Sequence, residues 1–484
     1  MDSWRRLTRK MFGARNVSGD YELLAGDTSH RTGTSPSTFS NSSTRRRSWR
    51  SIFRACIQKF TIRRLLIAIA LIPVVLVIAI LWPGIPPSYD DIRLYERRLP
   101  QHDLSLSSQA NPPNRYLRFP GHLWGHGFNN ILQEIILMSY LASISNMSFV
   151  FEDYTWSHTP FPYTIYDFAL RPTHVPINAF ISGPPAGGPT LGPRAISAEF
   201  WEKVCPNKEK KRVISSEYAP NDADGIVMID WWHKELVATN DTCVEVDSTS
   251  HDVFDRFFFG GPRLLSLWPE LSSSPILTNF SWSPLVLSAI ARNFALLRPS
   301  TPESLYDFSS STTFKGMVAV HLRRGDYQRH CPNLALWGAL YMGMNEHPSL
   351  PDRFDPSPYS DAPHKVLEGY YLEHCYPSTS QIVARLHEVR KEHPNLHRVY
   401  LLSNGWAWWL DELKLALEED GWDELISSLD IHLDAEQFYV SMAVDMAVAE
   451  KAEVFVGNGF SSLTSNVVML RMAKDLDPST NRFL

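Results

Sequence analysis

The run Val318-Ala319-Val320-His321-Leu322-Arg323-Arg324-Gly325-Asp326-Tyr327 constrains this chain more than any other. Its apolar residues stop abruptly at two arginines and a glycine turn, so it reads as a buried strand that delivers guanidiniums to its C-terminal edge. In open α/β sheets that edge is where ligands bind, and a guanidinium fork matches a phosphate bidentately. An anionic ligand, a nucleotide first of all, is the expectation. Two plainer readings compete: a salt-bridged strand end, and an adhesion tripeptide in Arg324-Gly325-Asp326.

The same grammar recurs about 130 residues later in Val454-Phe455-Val456-Gly457-Asn458-Gly459-Phe460-Ser461-Ser462-Leu463. Ser461 and Ser462 stand where a helix through Val467, Val468, Leu470 and Met472 would begin, which points hydroxyls and free backbone N–H groups at one place. An ordinary serine cap is the plainer account. The cap leaves the two glycines unexplained, and they suggest close backbone approach to something. A third stretch, Arg118 to Asn130, carries Gly121, Gly125 and Gly127 ahead of a helical pattern at Ile131, Leu132, Ile135, Ile136, Met138 and Leu141. The strand-like Ser148-Phe149-Val150-Phe151 follows. Glycine loop, helix and strand outline part of a nucleotide-binding half, although a plain turn before a core helix fits as well.

Together, Gly125-His126-Gly127-Phe128-Asn129, His321-Leu322-Arg323-Arg324 and Phe455-Val456-Gly457-Asn458 with Ser461-Ser462, in this order, resemble the protein O-fucosyltransferase family and its wider GDP-fucose-using relatives. The resemblance implies an α/β fold of the GT-B type, with two Rossmann-like halves and GDP-fucose between them, an inverting transfer and no metal. It implies that Arg323 holds the β-phosphate, that Ser461 and Ser462 bind phosphates, that Asp445 accepts hydrogen bonds from guanine and that Asn129 lines the donor pocket. Gly125, Gly127, Phe128, Asn130, His321 and Asp326 belong to the same candidate binding set. Some relatives carry a glutamate proposed as general base where this chain has His126. An imidazole can take a proton from a hydroxyl at neutral pH, so His126 joins Arg323 as a candidate catalytic residue; shaping the loop or binding a donor phosphate are its plainer roles. Cys331 to Cys375 and Ile181 to Arg194 match nothing in the resemblance, and acceptor choice could lie there.

Leu65 to Trp82 is 18 uncharged, almost wholly apolar residues, close to the ~20 of a membrane helix. A preceding basic leader of 64 residues is too long for the start of a signal peptide, so an anchor is expected, kinked at Pro73. Residues 1–64 hold 14 Lys/Arg against 4 Asp/Glu, and the remainder 32 against 48. Basic flanks stay cytosolic, which predicts a single-pass type II protein of the Golgi or endoplasmic reticulum with its catalytic part lumenal. Contact of the leader with anionic lipid is a simpler account of its charge than nucleic acid, and no nucleic-acid partner is expected. The segment Thr28 to Arg50 lacks a packing pattern and reads as disordered.

Beyond the span lie Cys205, Cys243, Cys331 and Cys375, with Cys56 on the cytosolic side. An even lumenal count allows two disulfides in any of three pairings; short loop closure favours Cys205 with Cys243 and Cys331 with Cys375. Asn146, Asn240 and Asn279 head glycosylation sequons, with Asn146 at a helix-to-strand junction that could bury it.

The expected organisation is a tail at 1–64, the span at 65–82, a stem at 83–114, and Rossmann-like domains at 115–299 and 300–484. The last would bind the nucleotide sugar. About 370 residues beyond the stem suit two domains. The Pro/Gly-rich stretch from Gly183 to Pro189 reads as an irregular insertion or a lid. Strands at Met317–Leu322, Val399–Leu402 and Val454–Val456 alternate with helices at Gln381–Lys391, Trp408–Leu417 and Phe438–Ala449, as in a parallel sheet with crossover helices. Asp222-Ala223-Asp224 and Asp475-Leu476-Asp477 match the metal-binding Asp-x-Asp of another transferase class. The first precedes an expected strand at Ile226–Ile229 instead of following it, and the second lies in a polar segment. His122 and His126 lack further ligands nearby in sequence. The expectation is therefore no metal and no cofactor: a fucosyltransferase moving fucose from GDP-fucose to a hydroxyl of a protein or glycan acceptor. A GT-B enzyme using another GDP-sugar, or a membrane-anchored lectin or adhesion protein, are the alternatives.

Overall fold

The computed structural model describes residues 62–81, 84–105, 114–121, 127–166, 169–188, 192–207, 209, 211–247, 249, 251–297 and 313–484. They form two compact units. The larger contains two five-stranded parallel sheets. The first sheet runs β3-β2-β1-β5-β4, from β1 (Tyr116–Arg118), β2 (Ser148–Phe151), β3 (Ile196–Ser197), β4 (Arg212–Ser215) and β5 (Cys243–Asp247). The second runs β8-β7-β6-β9-β10, from β6 (Phe314–Leu322), β7 (Arg398–Ser403), β8 (Glu424–Ser427), β9 (Ala452–Gly457) and β10 (Asn481–Phe483). Both orders grow outward from a central first strand, as in nucleotide-binding α/β sheets. The expected boundary at 299/300 falls outside the described residues.

The helices that bear on the site are α1 (Asp90–Arg97), α2 (Phe128–Ile144), α3 (Gly225–Ala238), α4 (Tyr327–Trp337), α5 (His364–Cys375), α6 (Thr379–Glu392), α7 (Ala407–Glu419), α8 (Ala435–Tyr439), α9 (Ser441–Lys451) and α10 (Ser462–Ala473). Strand β6 is buried on both faces, which is why its sequence is a continuous apolar run and not an alternating one. Alternation still decides its neighbours. Val318, Val320 and Leu322 share a core with Ile382, Leu386 and Val389 of α6 and Leu410, Leu413 and Leu417 of α7, while Met317 and Ala319 belong to the core that includes α9 and α10. A capping box between Ser378 and Gln381 starts α6.

Helix α2 is buried along almost its whole length and shares one hydrophobic cluster with both sheets' helices. The disulfides are Cys205–Cys243, at the first sheet, and Cys331–Cys375, which ties α4 to α5. Closing loops of 38 and 44 residues constrains the unfolded chain by about 4 kcal/mol each on the chain-entropy account.

Four expectations need correction. Ile226–Ile229 is not a strand but the first turn of α3, with Asp224 at its N-cap; the apolar residues there sit at helical spacing, with Met228, Ile229, Trp232 and Leu236 buried. The single helix expected at Phe438–Ala449 breaks at Val440 into α8 and α9. The stretch at Gly183 is not a lid: Pro184–Ala186 forms a buried 3-10 turn, and a Cβ on Gly188 would fall 2.0 Å from the Ser182 carbonyl oxygen. Part of the expected stem packs into the larger unit. Tyr89, Glu96 and Leu99 are buried, Gln101 donates to the carbonyls of Gly187 and Ala195, and the His102 ring stacks on Phe200 at 4.6 Å. All three sequon asparagines, Asn146 included, are exposed.

The smaller unit holds, among its described residues, the helix Ile62–Leu81 and the ribbon of Tyr163–Tyr166 with Ala169–Pro172. Ile67, Ile69, Leu71 and Val75 on that helix are about half exposed. Among the described residues no helix is long and apolar enough to cross a membrane. The expected span, Leu65–Trp82, reaches beyond the described residues, as does the whole of 1–61, Cys56 included.

Candidate functional site

Two of the three motifs leave adjacent strands at one sheet edge, because β6 pairs in parallel with β9 through Val318 with Val454, Ala319 with Phe455 and Val320 with Val456. Past that edge the strand parity of β6 carries on. His321 takes the face of Ala319, where its Nδ1 lies 2.9 Å from the Thr464 hydroxyl of α10. Burial and the nearby Arg323 charge push the His321 imidazole down to about 3, so it is neutral at physiological pH.

Arg323 and Arg324 part as alternation requires. The Arg323 guanidinium is 3% exposed, donates through Nε and Nη2 to the two Asp326 oxygens at 3.1 and 2.8 Å, and lies 4.8 Å from the Tyr327 ring. This is a buried, oriented ion pair. Arg324 turns to the other face. Its guanidinium sits between the rings of Tyr376 and Trp409, at 4.3 and 4.1 Å, and donates to the Pro377 carbonyl at 2.5 Å. Burial pulls its pKa below the ordinary arginine value. A cation used this way is structural, and the tripeptide is not an exposed adhesion loop, since Arg324 is buried and Asp326 partly buried.

Ser461 is the N-cap residue of α10, yet its hydroxyl makes no capping bond and, buried at 1% exposure, has no hydrogen-bond partner. A buried hydroxyl without a partner costs ~1–3 kcal/mol, so its retention at a positive helix end asks for an explanation. Ser462, also buried, follows it as the first residue of α10. The glycines beside them have an internal reason. A Cβ on Gly457 would meet the Thr464 side chain at 2.1 Å, and one on Gly459 the Tyr341 ring at 2.4 Å. What approaches those glycines is the protein itself.

The first motif reaches the same helix from the other half. Asn466 of α10 donates to the Asn129 carbonyl at 2.8 Å and to its side-chain oxygen at 3.2 Å, and the Asn129 amide lies 3.0 Å from the Met442 sulfur. Asn129 is fully buried and ties the halves together. Phe128 is a core residue, stacked on Phe180 at 4.1 Å and edge-on to Tyr154. Gly127 is the N-cap of α2, and Asn130 keeps a buried side-chain oxygen without a partner. Gly125 and His126, with His122, lie outside the described residues.

Asp445 on α9 accepts from the Tyr400 hydroxyl at 2.5 Å and the Ser428 hydroxyl at 2.8 Å. Burial outweighs these bonds and pushes its carboxyl up from 3.8 to about 6. It is thus held against Tyr400 within β7 and Ser428 just after β8. The sequence reading missed Asn404, whose side-chain oxygen accepts from the Arg324 N–H at 2.7 Å and whose amide donates to Asp326 at 3.2 Å. The Asn-Gly pair after β7 repeats the strand-then-turn pattern and would have flagged it. It missed Thr464 and Asn466 too, which carry no motif. Among the described residues no group of three or more His, Cys, Asp or Glu could hold a metal ion. Asp222 and Asp224 stand ahead of α3, and Asp475 and Asp477 follow α10.

No family model matches the chain, and no curated protein does. The resemblance to GDP-fucose fucosyltransferases recurs among solved structures. One is POFUT1 in complex with GDP-fucose, at TM-score 0.43 and 18% identity over 77% of this chain and 98% of that one. Another is a mutant of Arabidopsis thaliana FUT1 in complex with GDP, at 0.35 and 10% over 80% and 78%. A third is NodZ alpha-1,6-fucosyltransferase soaked with GDP-fucose, at 0.34 and 12% over 74% and 93%. Likenesses this distant leave the chemistry to be argued from the chain's own residues.

Proposed function

We propose that the chain is a glycosyltransferase that moves fucose from GDP-fucose to a hydroxyl of a protein or glycan acceptor, with inversion and without metal. The observation that carries this is the buried, partnerless Ser461 hydroxyl at the N-terminus of α10, one strand over from the oriented Arg323. A diphosphate supplies acceptor oxygens for the Ser461 hydroxyl and the helix N–H groups, and brings further negative charge to a guanidinium that Asp326 already orients. Asp326 holds Arg323 in place before the ligand arrives, so little reorganisation is needed as charge develops on the departing diphosphate. Asp445 would take guanine N–H groups on oxygens already oriented by Tyr400 and Ser428. His126 is proposed as the base, with donor binding as its other role. Anchoring by 65–82 as a type II protein of the Golgi or endoplasmic reticulum, with the larger unit lumenal, is part of the same reading, and the two disulfides support an oxidising compartment.

The test is a transfer assay with the purified full chain, GDP-fucose and GDP-mannose as donors, and a mixed panel of glycans and folded proteins as acceptors. Fucose incorporation with GDP-fucose alone is expected. Incorporation from GDP-mannose instead would keep the fold and change the sugar, and failure to bind either donor would return the chain to the lectin reading.

A further inference from the structure

Helices α6 and α7 border an open groove on the outer face of the second sheet, with Ser378, Thr379, Ser380, Glu388 and Glu412 among its lining residues. Its head lies at the C-terminal edge of the sheet, on the face that holds Arg324. Ser378 in its lining directly follows Pro377, whose carbonyl takes the Arg324 guanidinium, and Trp409 of α7 stacks on that same guanidinium. Immediately before Trp409 the chain puts two large indoles into solvent, Trp406 at 54% and Trp408 at 65% exposure. Tryptophan is among the most costly side chains to leave in water, and two of them at one strand end call for an occupant. Trp408 and Glu412 are four residues apart on α7 and therefore share a face, which places an indole beside the groove's carboxylate.

We infer that this groove seats a neutral glycan as the acceptor, with a sugar ring stacked on Trp408 and its hydroxyls bound by Glu412 and the Ser378–Ser380 segment. The inference rests on the transferase reading. A sugar ring presents C–H groups on its face and hydroxyls around its rim, which is the chemistry an indole next to carboxylates and hydroxyls accepts. A polypeptide would anchor through apolar side chains in a desolvated pocket, and apart from the exposed indoles the groove's lining offers only Val383, Ala384 and Ala416 for that. Glu388, Glu412 and Glu419 outnumber Lys391 along the groove, so an acidic glycan would be repelled.

Calorimetric titration of the full chain with mannotetraose, chitotetraose and tetragalacturonic acid tests this, with GDP titrated in parallel. At least one neutral tetrasaccharide is expected to bind saturably. Its affinity should fall about tenfold or more in Trp408→Ala and in Glu412→Gln, a loss of ~1.4 kcal/mol or more, while GDP affinity stays unchanged in both and the acidic tetramer does not bind. The inference is overturned if neither neutral sugar binds, if binding in the two variants equals that of the wild type, or if unfolded, reduced casein binds in a Trp408-dependent way where the sugars do not. Loss of GDP binding by the wild-type chain would strike the donor reading instead and leave the sugar titrations readable.

Discussion

Arg118 and Arg323 occupy matching places: each stands at the C-terminal end of the middle strand of a five-stranded parallel sheet. Their surroundings differ in charge. Arg118 faces three carboxylates, Glu152 at 2.9 Å, Glu202 at 3.0 Å and Glu245 at 3.7 Å, so the edge of the first sheet carries excess negative charge and would repel a phosphate. Arg323 faces one carboxylate, Asp326, and its strand pairs with β9, which leads to a helix N-terminus whose cap hydroxyl has no partner. The same sheet plan thus yields a closed ion-pair cluster in one half and, on the proposed reading, an anion site in the other. On that reading the local charge count, and not the fold, decides which half would take the diphosphate.

The largest expected effect comes from exchanging the guanidinium for a point charge at each position. Arg323→Lys loses the paired geometry with Asp326 and should lower transfer by about 10²-fold or more, whereas Arg118→Lys should leave turnover within about twofold. Lysine is the informative replacement, because alanine would leave the partly buried Asp326 without its partner and confound activity with stability. Next comes Asp445→Asn, expected to weaken GDP binding by about tenfold. In the wild type the carboxyl protonates near pH 6, so GDP affinity should fall as pH drops through that value and should lose this dependence in the variant. Arg324→Ala should lower stability by ~1–3 kcal/mol while donor affinity holds.

The smallest effect lies near the first sheet, at Glu96. Burial pushes its carboxyl from 4.5 up to about 7, although Arg93 opposes the shift. The folded state therefore binds the proton more tightly than the unfolded state. Stability should fall as pH rises through the window from 4.5 to about 7 and level off above it. Glu96→Gln should flatten that profile and raise the melting temperature at pH 8 by about 2–4 °C, with no gain at pH 4. An unchanged profile would remove Glu96 from the account.

Strand β6 and helix α10 were legible because a continuous apolar run and a serine pair after glycines are local signals. The disulfide pairing followed from loop length. What failed was non-local. The Gly457 and Gly459 requirement comes from Thr464 and Tyr341, the latter over a hundred residues away, and Asn129 reads as a ligand contact until Asn466 and Met442 are seen to occupy it. Helix α3 was misread because Ile226–Ile229 alone is too short a run to separate strand from helix. Tyr89 to His102 look like a stem because their partners, Glu436, Gly187 and Phe200, lie far along the chain.

Calorimetric titration of GDP into the full chain in the presence of EDTA tests the central claim most directly, compared across wild type, Arg323→Lys, Ser461→Ala and Arg118→Lys. The account predicts metal-free binding that survives Arg118→Lys, weakens about tenfold or more in Arg323→Lys and weakens measurably in Ser461→Ala. Binding that needs Mn²⁺, or that persists in the Arg323 and Ser461 variants while failing in the Arg118 variant, would contradict it.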